Sequence, residues 1–183
     1  PLAKHDKQFA AGFSEWKETL AQVDVSHWNT LQPESWTTAN GAVLNIVNEN
    51  QLLVDFSIPA NDTFTVHYAS SPHRVTAIRL EPKTHSNLPK GGPGRASNGN
   101  FVLSEFKAYL TTAEGTRKEL PIARAIADHS QDGYPIYHAI DKKDGTGWAI
   151  NVNSGNANVN REATFFLAEP IDISATDKLT IEL

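Results

Sequence analysis

The sequence predicts an all-β fold, an antiparallel sandwich, from the alternation of its apolar residues and from the turn residues that separate its apolar runs. In the stretch LSEFKAYL, every second side chain from Phe106 to Leu110 is apolar. One face of an extended chain is then apolar and the other polar. Comparable runs are separated by Gly, Pro, Asn and Asp, which favour turns. Strands of this length with turns between them are typical of antiparallel sandwiches.

Seven segments have the composition or the alternation of strands. The first two are separated only by Asn-Glu-Asn, which predicts a hairpin. A long polar connection rich in Gly and Pro precedes the fifth, and a connection of that length in a compact domain is usually functional or disordered. In chain order the segments are AVLNIV, QLLVDFSI, TFTVHYA, RVTAIRLE, FVLSEFKAYL, ATFFLAEPIDI and DKLTIEL.

The N-terminal part of the chain differs from the rest in its periodicity. In residues 8–23 the apolar side chains recur at spacings of three and four, which predicts a short amphipathic helix. We expect two regions: residues 1–38 as a helix and connection, and residues 39–183 as the β-sandwich domain.

Composition excludes several classes of protein. The formal net charge of −5 argues against a broad nucleic-acid surface, which needs clustered Lys and Arg, and no apolar run approaches membrane-spanning length. The absence of cysteine excludes disulfides, thiolate metal sites and a cysteine nucleophile. The chain also has no methionine, even at position 1, so we expect a processed product or a piece of a longer protein.

No catalytic motif is recognisable, and we predict that the chain is not an enzyme. There is no Gly-x-Ser-x-Gly, no His-Glu-x-x-His and no phosphate loop with Gly-Lys-Ser/Thr. The seven histidines are scattered, and none pair at a spacing typical of zinc sites.

One candidate metal site lies in the segment AIDKKDGTGWAI. Asp141, Asp144 and Thr146 place three oxygen donors within six positions, and glycines between and after them permit a curled loop. Calcium prefers six to eight oxygen ligands of this kind. The alternative is an ordinary Asp-Gly turn, which the cations Lys142 and Lys143 favour because they oppose a divalent ion.

A second candidate site lies in the segment RASNGNFVLSE. Arg95, Asn98 and Asn100 offer a guanidinium fork and two amides, which suit carboxylate or hydroxyl ligands. The alternative is an Asn-Gly turn that leads into the next strand. The sequence favours neither interpretation over the other.

The stretch SEFKAYL resembles the last strand of the discoidin family, the galactose-binding-like β-sandwiches that include coagulation-factor C domains and many carbohydrate-binding modules. VTAIRLE and DTFTVHYAS resemble earlier strands of that family. The family's first segment resembles residues 123–150, which come later in this chain. The order is therefore rotated, and the resemblance implies a circularly permuted discoidin-like jelly roll, because the termini of such sandwiches lie close together.

The runs PANDTFTV, VTAIRLE, GGPGRASNGNFVLSEF and AIDKKDGTGWAI also resemble a domain of large exported bacterial proteins that carry haem-c segments. This resemblance covers residues 28–183 and implies an exported protein. That domain continues into one more strand, so we expect an edge strand to be missing or replaced by the N-terminal segment. No Cys-x-x-Cys-His occurs in this chain, so no covalent haem is expected here.

The discoidin resemblance also bears on the metal. Many of its sugar binders hold a structural calcium with ligands that resemble Glu105, Asp141 and Thr146. Lys142 and Lys143 depart from the family's pattern, and Asp144 is expected to substitute for the missing ligand. The resemblance implies that calcium would fix the loop and do no chemistry, and that Trp148 belongs to the core.

The resemblance implies a non-catalytic module that binds polysaccharide or oligosaccharide. We expect Arg95 to pair with an acidic or sulfated group and Asn98 and Asn100 to bind hydroxyls. Trp36 and Tyr137 are expected to stack on sugar rings, with Trp28 and Tyr134 as further aromatic candidates. The alternative is a structural or protein-interaction domain that docks neighbouring domains of the parent protein.

Overall fold

The computed structural model describes residues 28–48, 50–55, 59–69, 73–152, 155 and 157–183. The chain divides into two compact units, residues 1–30 and residues 31–183, and every strand described below belongs to the second unit. The helix expected over residues 8–23 lies outside the described residues.

The described part of the second unit is built almost entirely from short strands. In chain order they are β1 (Pro33–Thr38), β2 (Leu44–Ile46), β3 (Leu52–Val54), β4 (Phe64–Ala69), β5 (His73–Leu80), β6 (Val102–Leu103), β7 (Lys107–Thr111), β8 (Arg117–Glu119), β9 (Ile122–Ala127), β10 (Trp148–Ala149), β11 (Ala163–Ile173) and β12 (Lys178–Glu182). Two short 3-10 helices, Pro89–Gly91 and Ile136–Ile140, lie in the connections.

The strands form two main sheets and two small ribbons, and all of these pairings are antiparallel. The larger sheet has the order β1-β4-β12-β7-β8, and the smaller has the order β5-β11-β9. β2 pairs with β3, and β6 pairs with β10. Because β12 follows β11 directly yet lies in the other sheet, the chain crosses between the sheets after Ile173.

The hydrophobic core contains side chains from both main sheets, which is the arrangement of a sandwich-like fold. Phe106, just before β7, stacks on Phe165 of β11 with ring centroids 3.7 Å apart. Trp148 is fully buried, as the sequence predicted, and donates a hydrogen bond from its indole nitrogen to the carbonyl of His129 at 2.8 Å.

The alternation predicted for LSEFKAYL is present, but the segment is not one continuous strand. Phe106 and Ala108 are buried and Leu110 packs against the core. The strand pairing is interrupted between β6 and β7, where the amide of Phe106 donates to the carbonyl of Ala139 at 2.7 Å. The chain therefore changes its pairing partner, from β10 to β12, at the point where it meets a distant segment.

Other predictions agree with the structure to different degrees. The hairpin is confirmed by the pairing of β2 with β3, and β4, β5, β11 and β12 lie where strands were predicted. Residues 33–38, assigned from the sequence to the N-terminal connection, form β1 at the edge of the larger sheet. β8 and β9 had no counterpart among the predicted strands.

Within the part of the chain that the structure describes, there is no helix long and apolar enough to span a bilayer.

Candidate functional site

Two distant pieces of chain meet at Glu105 and Asp141. The backbone amide of Lys143 donates to Oε1 of Glu105 and to Oδ1 of Asp141, each at 3.0 Å. The same two pieces are joined one step further along by the Phe106–Ala139 backbone hydrogen bond. Residues predicted to act together thus lie side by side, although 36 positions separate them in the chain.

Thr146 closes the loop that begins at Asp141. Its hydroxyl lies 2.9 and 3.0 Å from the two carboxylate oxygens of Asp141, and 2.9 Å from the carbonyl oxygen of Lys143. Lys142 takes a left-handed backbone conformation, with φ of 61°, which lets the chain reverse direction within this short loop. The loop is therefore curled around one carboxylate.

The cationic side chain of Lys142 points away from these carboxylates. Its Nζ lies 3.9 Å from Oε1 of Glu119 on β8, and the side chain is 79% exposed. The positive charge of Lys142, one of the two expected to oppose a divalent cation, is thus directed to Glu119 and to solvent. Such an exposed pair contributes little to stability.

The donor chemistry of this loop suits calcium in part. Glu105, Asp141, the hydroxyl of Thr146 and the carbonyl of Lys143 supply oxygen atoms, which calcium prefers. Asp144, the fourth predicted ligand, is exposed and makes no hydrogen bond or ion pair with the described residues. No cluster of three or more acidic, His or Cys side chains suited to a metal occurs among the described residues.

The amide hydrogen of Lys143 occupies part of the acceptor capacity of both carboxylates, because it points at Oε1 of Glu105 and Oδ1 of Asp141. Each carboxylate keeps further lone pairs, which a calcium ion could use. The calcium assignment stays a proposal on these grounds.

The long polar loop before β6 is folded tightly. An added Cβ at Gly94 would lie 2.1 Å from the carbonyl oxygen of Asn100, and one at Gly99 would lie 2.1 Å from Oδ1 of Asn158. The amide of Gly94 donates to the carbonyl of Gly99 at 2.9 Å. Glycine is needed where the backbone approaches other atoms this closely.

Asn100 holds this loop to two other segments. Its Nδ2 donates to Oε1 of Gln131 at 3.1 Å, and its Oδ1 accepts from the amide of Ile150 at 2.9 Å. Both ends of the amide are therefore engaged within the protein. Its predicted role in binding hydroxyls stays a prediction, but the structure gives it a clear structural role.

Asn98 and Arg95 are placed differently. Asn98 is exposed, accepts a hydrogen bond from the amide of Asn100 at 3.2 Å and lies 3.4 Å from Oδ1 of Asn151. The guanidinium of Arg95 donates to the carbonyl of Pro59 at 3.3 Å. Arg95 thus fastens the loop to the segment that precedes β4.

The aromatic candidates divide into one fixed in the fold and three exposed ones. Trp36 is half-buried in β1, and its indole nitrogen donates to the carbonyl of Leu44 at 3.1 Å. Tyr137 is 59% exposed in the 3-10 helix before Asp141, and Tyr134 is 39% exposed in the preceding turn. Trp28, at the end of the N-terminal unit, is 40% exposed.

Asp62 is a carboxylate with several backbone hydrogen bonds, and it was not identified from the sequence. It accepts backbone hydrogen bonds from Asn40, Ala42 and Thr63 at 2.7–2.8 Å. Desolvation acts to raise the pKa of Asp62, but these donors outweigh it and hold the pKa below the ordinary value. Its role is structural, since it ties the β1–β2 connection to the start of β4.

Comparisons with models of protein families, with curated proteins and with solved structures found no match to this chain.

Proposed function

We propose that this chain is a non-catalytic carbohydrate-binding module of a larger exported protein. In this proposal the sandwich is a circularly permuted discoidin-like jelly roll. The meeting of Glu105 with Asp141 carries the proposal. The resemblance aligned two distant segments of the chain so that these residues should lie together, and an error of a few residues in either alignment would have separated them. The expectation that they meet rested on the resemblance alone.

The ligand surface proposed here is the exposed aromatic segment that leads into Asp141. Tyr134 and Tyr137 present rings to solvent on a segment held by the Asp141 loop on one side and by Gln131 on the other. Tyrosine rings contribute apolar area with a polar hydroxyl, which suits the faces and edges of sugars. Calcium, when bound, would rigidify this segment by holding the Asp141 loop.

A panel of neutral and acidic polysaccharides in affinity gels tests the proposal. We expect at least one polysaccharide to retard the chain. Tyr137→Ala should weaken that retardation, whereas Tyr137→Phe, which keeps the ring, should retain it. Absence of retardation by every polysaccharide in the panel, with the chain shown to be folded by circular dichroism, would refute the proposal.

A second function, docking to neighbouring domains of the parent protein, is favoured by one observation. Val43 and Ile46, at the β2–β3 hairpin, are 48% and 50% exposed. Contiguous exposed apolar surface marks interaction sites, and in this hairpin these two side chains are the exposed apolar ones. Replacing both by Ser should leave polysaccharide retardation unchanged, and should weaken association with the rest of the parent protein if this second function is correct.

A further inference from the structure

A polar cleft lies at one end of the smaller sheet. Leu80 at the end of β5 and Ala127 at the end of β9 both pair with Ala163 at the start of β11. The residues just beyond these three strand ends therefore come together. They line an open cleft of about 190 Å³, whose lining residues are Glu81, Lys83, Asp128, Asn160, Arg161 and Glu162.

Backbone hydrogen bonds fix the frame of this cleft. The amide of Arg161 donates to the carbonyl of Pro82 at 2.9 Å, which joins two of the three segments. Asp128 and Glu162 join the third, because the amide of Asp128 donates to the carbonyl of Glu162 at 3.1 Å and Oδ1 of Asp128 accepts from the amide of Glu162 at 3.2 Å. The side chains are thus presented by a preformed scaffold.

Arg161 is the unusual member of the cleft. Its side chain is only 10% exposed, and its Nη1 lies 3.6 Å from Oδ2 of Asp128. Its Nε is buried and has no hydrogen-bond partner among the described residues. A buried donor without an acceptor is costly. The guanidinium that carries it lines the cleft, where its other N–H groups can donate to a ligand.

Other groups of the cleft have unused hydrogen-bonding capacity. Oδ1 of Asn160 accepts from the amide and hydroxyl of Thr84 at 2.9 and 3.0 Å, while its Nδ2 makes no hydrogen bond to the described residues. The carboxylate of Glu162 also makes no hydrogen bond or ion pair there. The cleft therefore offers both donors and an acceptor.

The charges around the cleft are balanced. Glu81 pairs with Lys83 at 2.5 Å and with Arg79 at 2.7 Å. The hydrogen bond from Lys83 lowers the pKa of Glu81, which keeps that carboxylate ionised. An anionic ligand would meet the carboxylates of Asp128 and Glu162, whereas a hydroxyl group can accept from the cations and donate to the carboxylates.

We propose that this cleft binds one uncharged sugar residue through its hydroxyl groups. Arg161 and Asn160 donate to hydroxyl oxygens, and Glu162 accepts from a neighbouring hydroxyl. The choice of a sugar among polyhydroxylated ligands rests on the proposed function, but the site is separate from the Tyr134–Asp141 segment. The cleft would hold a single residue of a chain, with affinity in the millimolar range that small polar sites of this kind reach.

Nuclear magnetic resonance titration of the ¹⁵N-labelled chain tests the proposal. The neutral probes are glucose, galactose and mannose, and the charged probes are glucuronate and sulfate. We expect a neutral sugar to shift the backbone amides of Asp128, Arg161 and Glu162. Glu162→Gln should weaken this binding about tenfold, because it removes a hydrogen bond to a charged group.

Two further variants sharpen the test. Asn160→Asp keeps the oxygen that Thr84 needs and removes the Nδ2 donor, so it should also weaken binding of the neutral sugar. Glu169→Gln, at an exposed position with no ion pair to the described residues, is the matched control and should leave binding unchanged.

Each outcome decides the matter. Stronger responses to glucuronate or sulfate than to neutral sugars, or no shift of the cleft amides at tens of millimolar of any sugar, would overturn the proposal. If polysaccharides retard the chain in gels while the cleft amides stay unmoved, this cleft site is rejected and the proposed function stands. Shifts of the cleft amides without any polysaccharide retardation would support the cleft and reject the module.

Discussion

The rings of Phe106 and Phe165 lie in nearly parallel planes, 4° apart, with their centroids separated by 3.7 Å. The first belongs to the segment that enters the larger sheet, and the second lies in the central strand of the smaller sheet. Both rings are almost fully buried. This contact joins the two sheets next to the point where Glu105 meets Asp141.

Truncating one of these rings should destabilise the whole second unit. We expect Phe106→Ala to lower the free energy of unfolding by about 3–5 kcal/mol, since it leaves a cavity between the sheets. Urea unfolding followed by tryptophan fluorescence measures the loss. Val102→Ala, at a neighbouring position that is 53% exposed, is the control and should change stability by less than about 0.5 kcal/mol.

Replacing Asn100 should lower the stability of the fold, even when no ligand is present. Asn100→Ala removes the partners of Gln131 and of the Ile150 amide, and a loss of about 1–3 kcal/mol is expected from the unsatisfied groups. Asn98→Ala, at an exposed position, should cost little. Unchanged thermal stability of Asn100→Ala together with lost polysaccharide retardation would instead assign Asn100 to ligand binding.

The tight fold of the loop before β6 predicts a contrast between two glycines. Gly94→Ala places a methyl group against the backbone of Asn100 and should cost about 1–3 kcal/mol. Gly145→Ala meets no atom within 4 Å and should be tolerated. Equal unfolding midpoints for the two variants in urea would show that the loop does not hold this conformation.

Asp62 predicts a dependence of stability on pH. Its pKa is lower in the folded chain than the ordinary value of 3.8, so its stabilisation is present above that value and is lost as the pH falls through the folded pKa. Asp62→Asn should therefore be less stable than the parent at neutral pH, by about 1 kcal/mol because the carboxylate is partly exposed. The difference in melting temperature between parent and variant should shrink as the pH falls below about 4. A difference independent of pH would assign the effect to shape alone.

The proposed calcium predicts a linked change in stability. Calcium in excess should raise the melting temperature of the parent chain, because a ligand that binds only the folded state stabilises it. Asp141→Asn should abolish that rise. Asp144→Asn reports whether this exposed carboxylate contributes to the site, since a retained rise excludes it as a required ligand. Equal melting temperatures with calcium and with a chelator would reject the metal.

The sequence was informative where a strand has one buried face. β11 alternates buried and half-buried positions over its first five residues, and the pattern is visible in their residue types. β12 is instead buried at Leu179, Thr180 and Ile181 in succession, although Leu and Ile still mark its core-facing positions. β8, with the sequence Arg-Lys-Glu, is exposed at every position and carries no such signal. β1 begins at Pro33 and lies at the edge of its sheet, where proline is tolerated. In the sequence, however, proline argues against a strand.

The candidate site was predictable only in part. The pairing of Glu105 with Asp141 followed from a resemblance, because no local pattern links residues so far apart in the chain. The roles of Asn100 and Asp62 depend on backbone amides that the sequence does not locate. The sequence contains only a weak indication of the cleft at Arg161. Polar residues directly flank β5, β9 and β11, but nothing in the sequence shows that these strands lie in one sheet.

The hydrogen bond from Lys143 to two carboxylates has a practical consequence for spectroscopy. A proton hydrogen-bonded to anionic oxygens is deshielded. Its resonance therefore reports, from one backbone position, whether the Asp141 loop is closed as described. An ion that entered the loop would move this single signal before any change in overall shape could be seen.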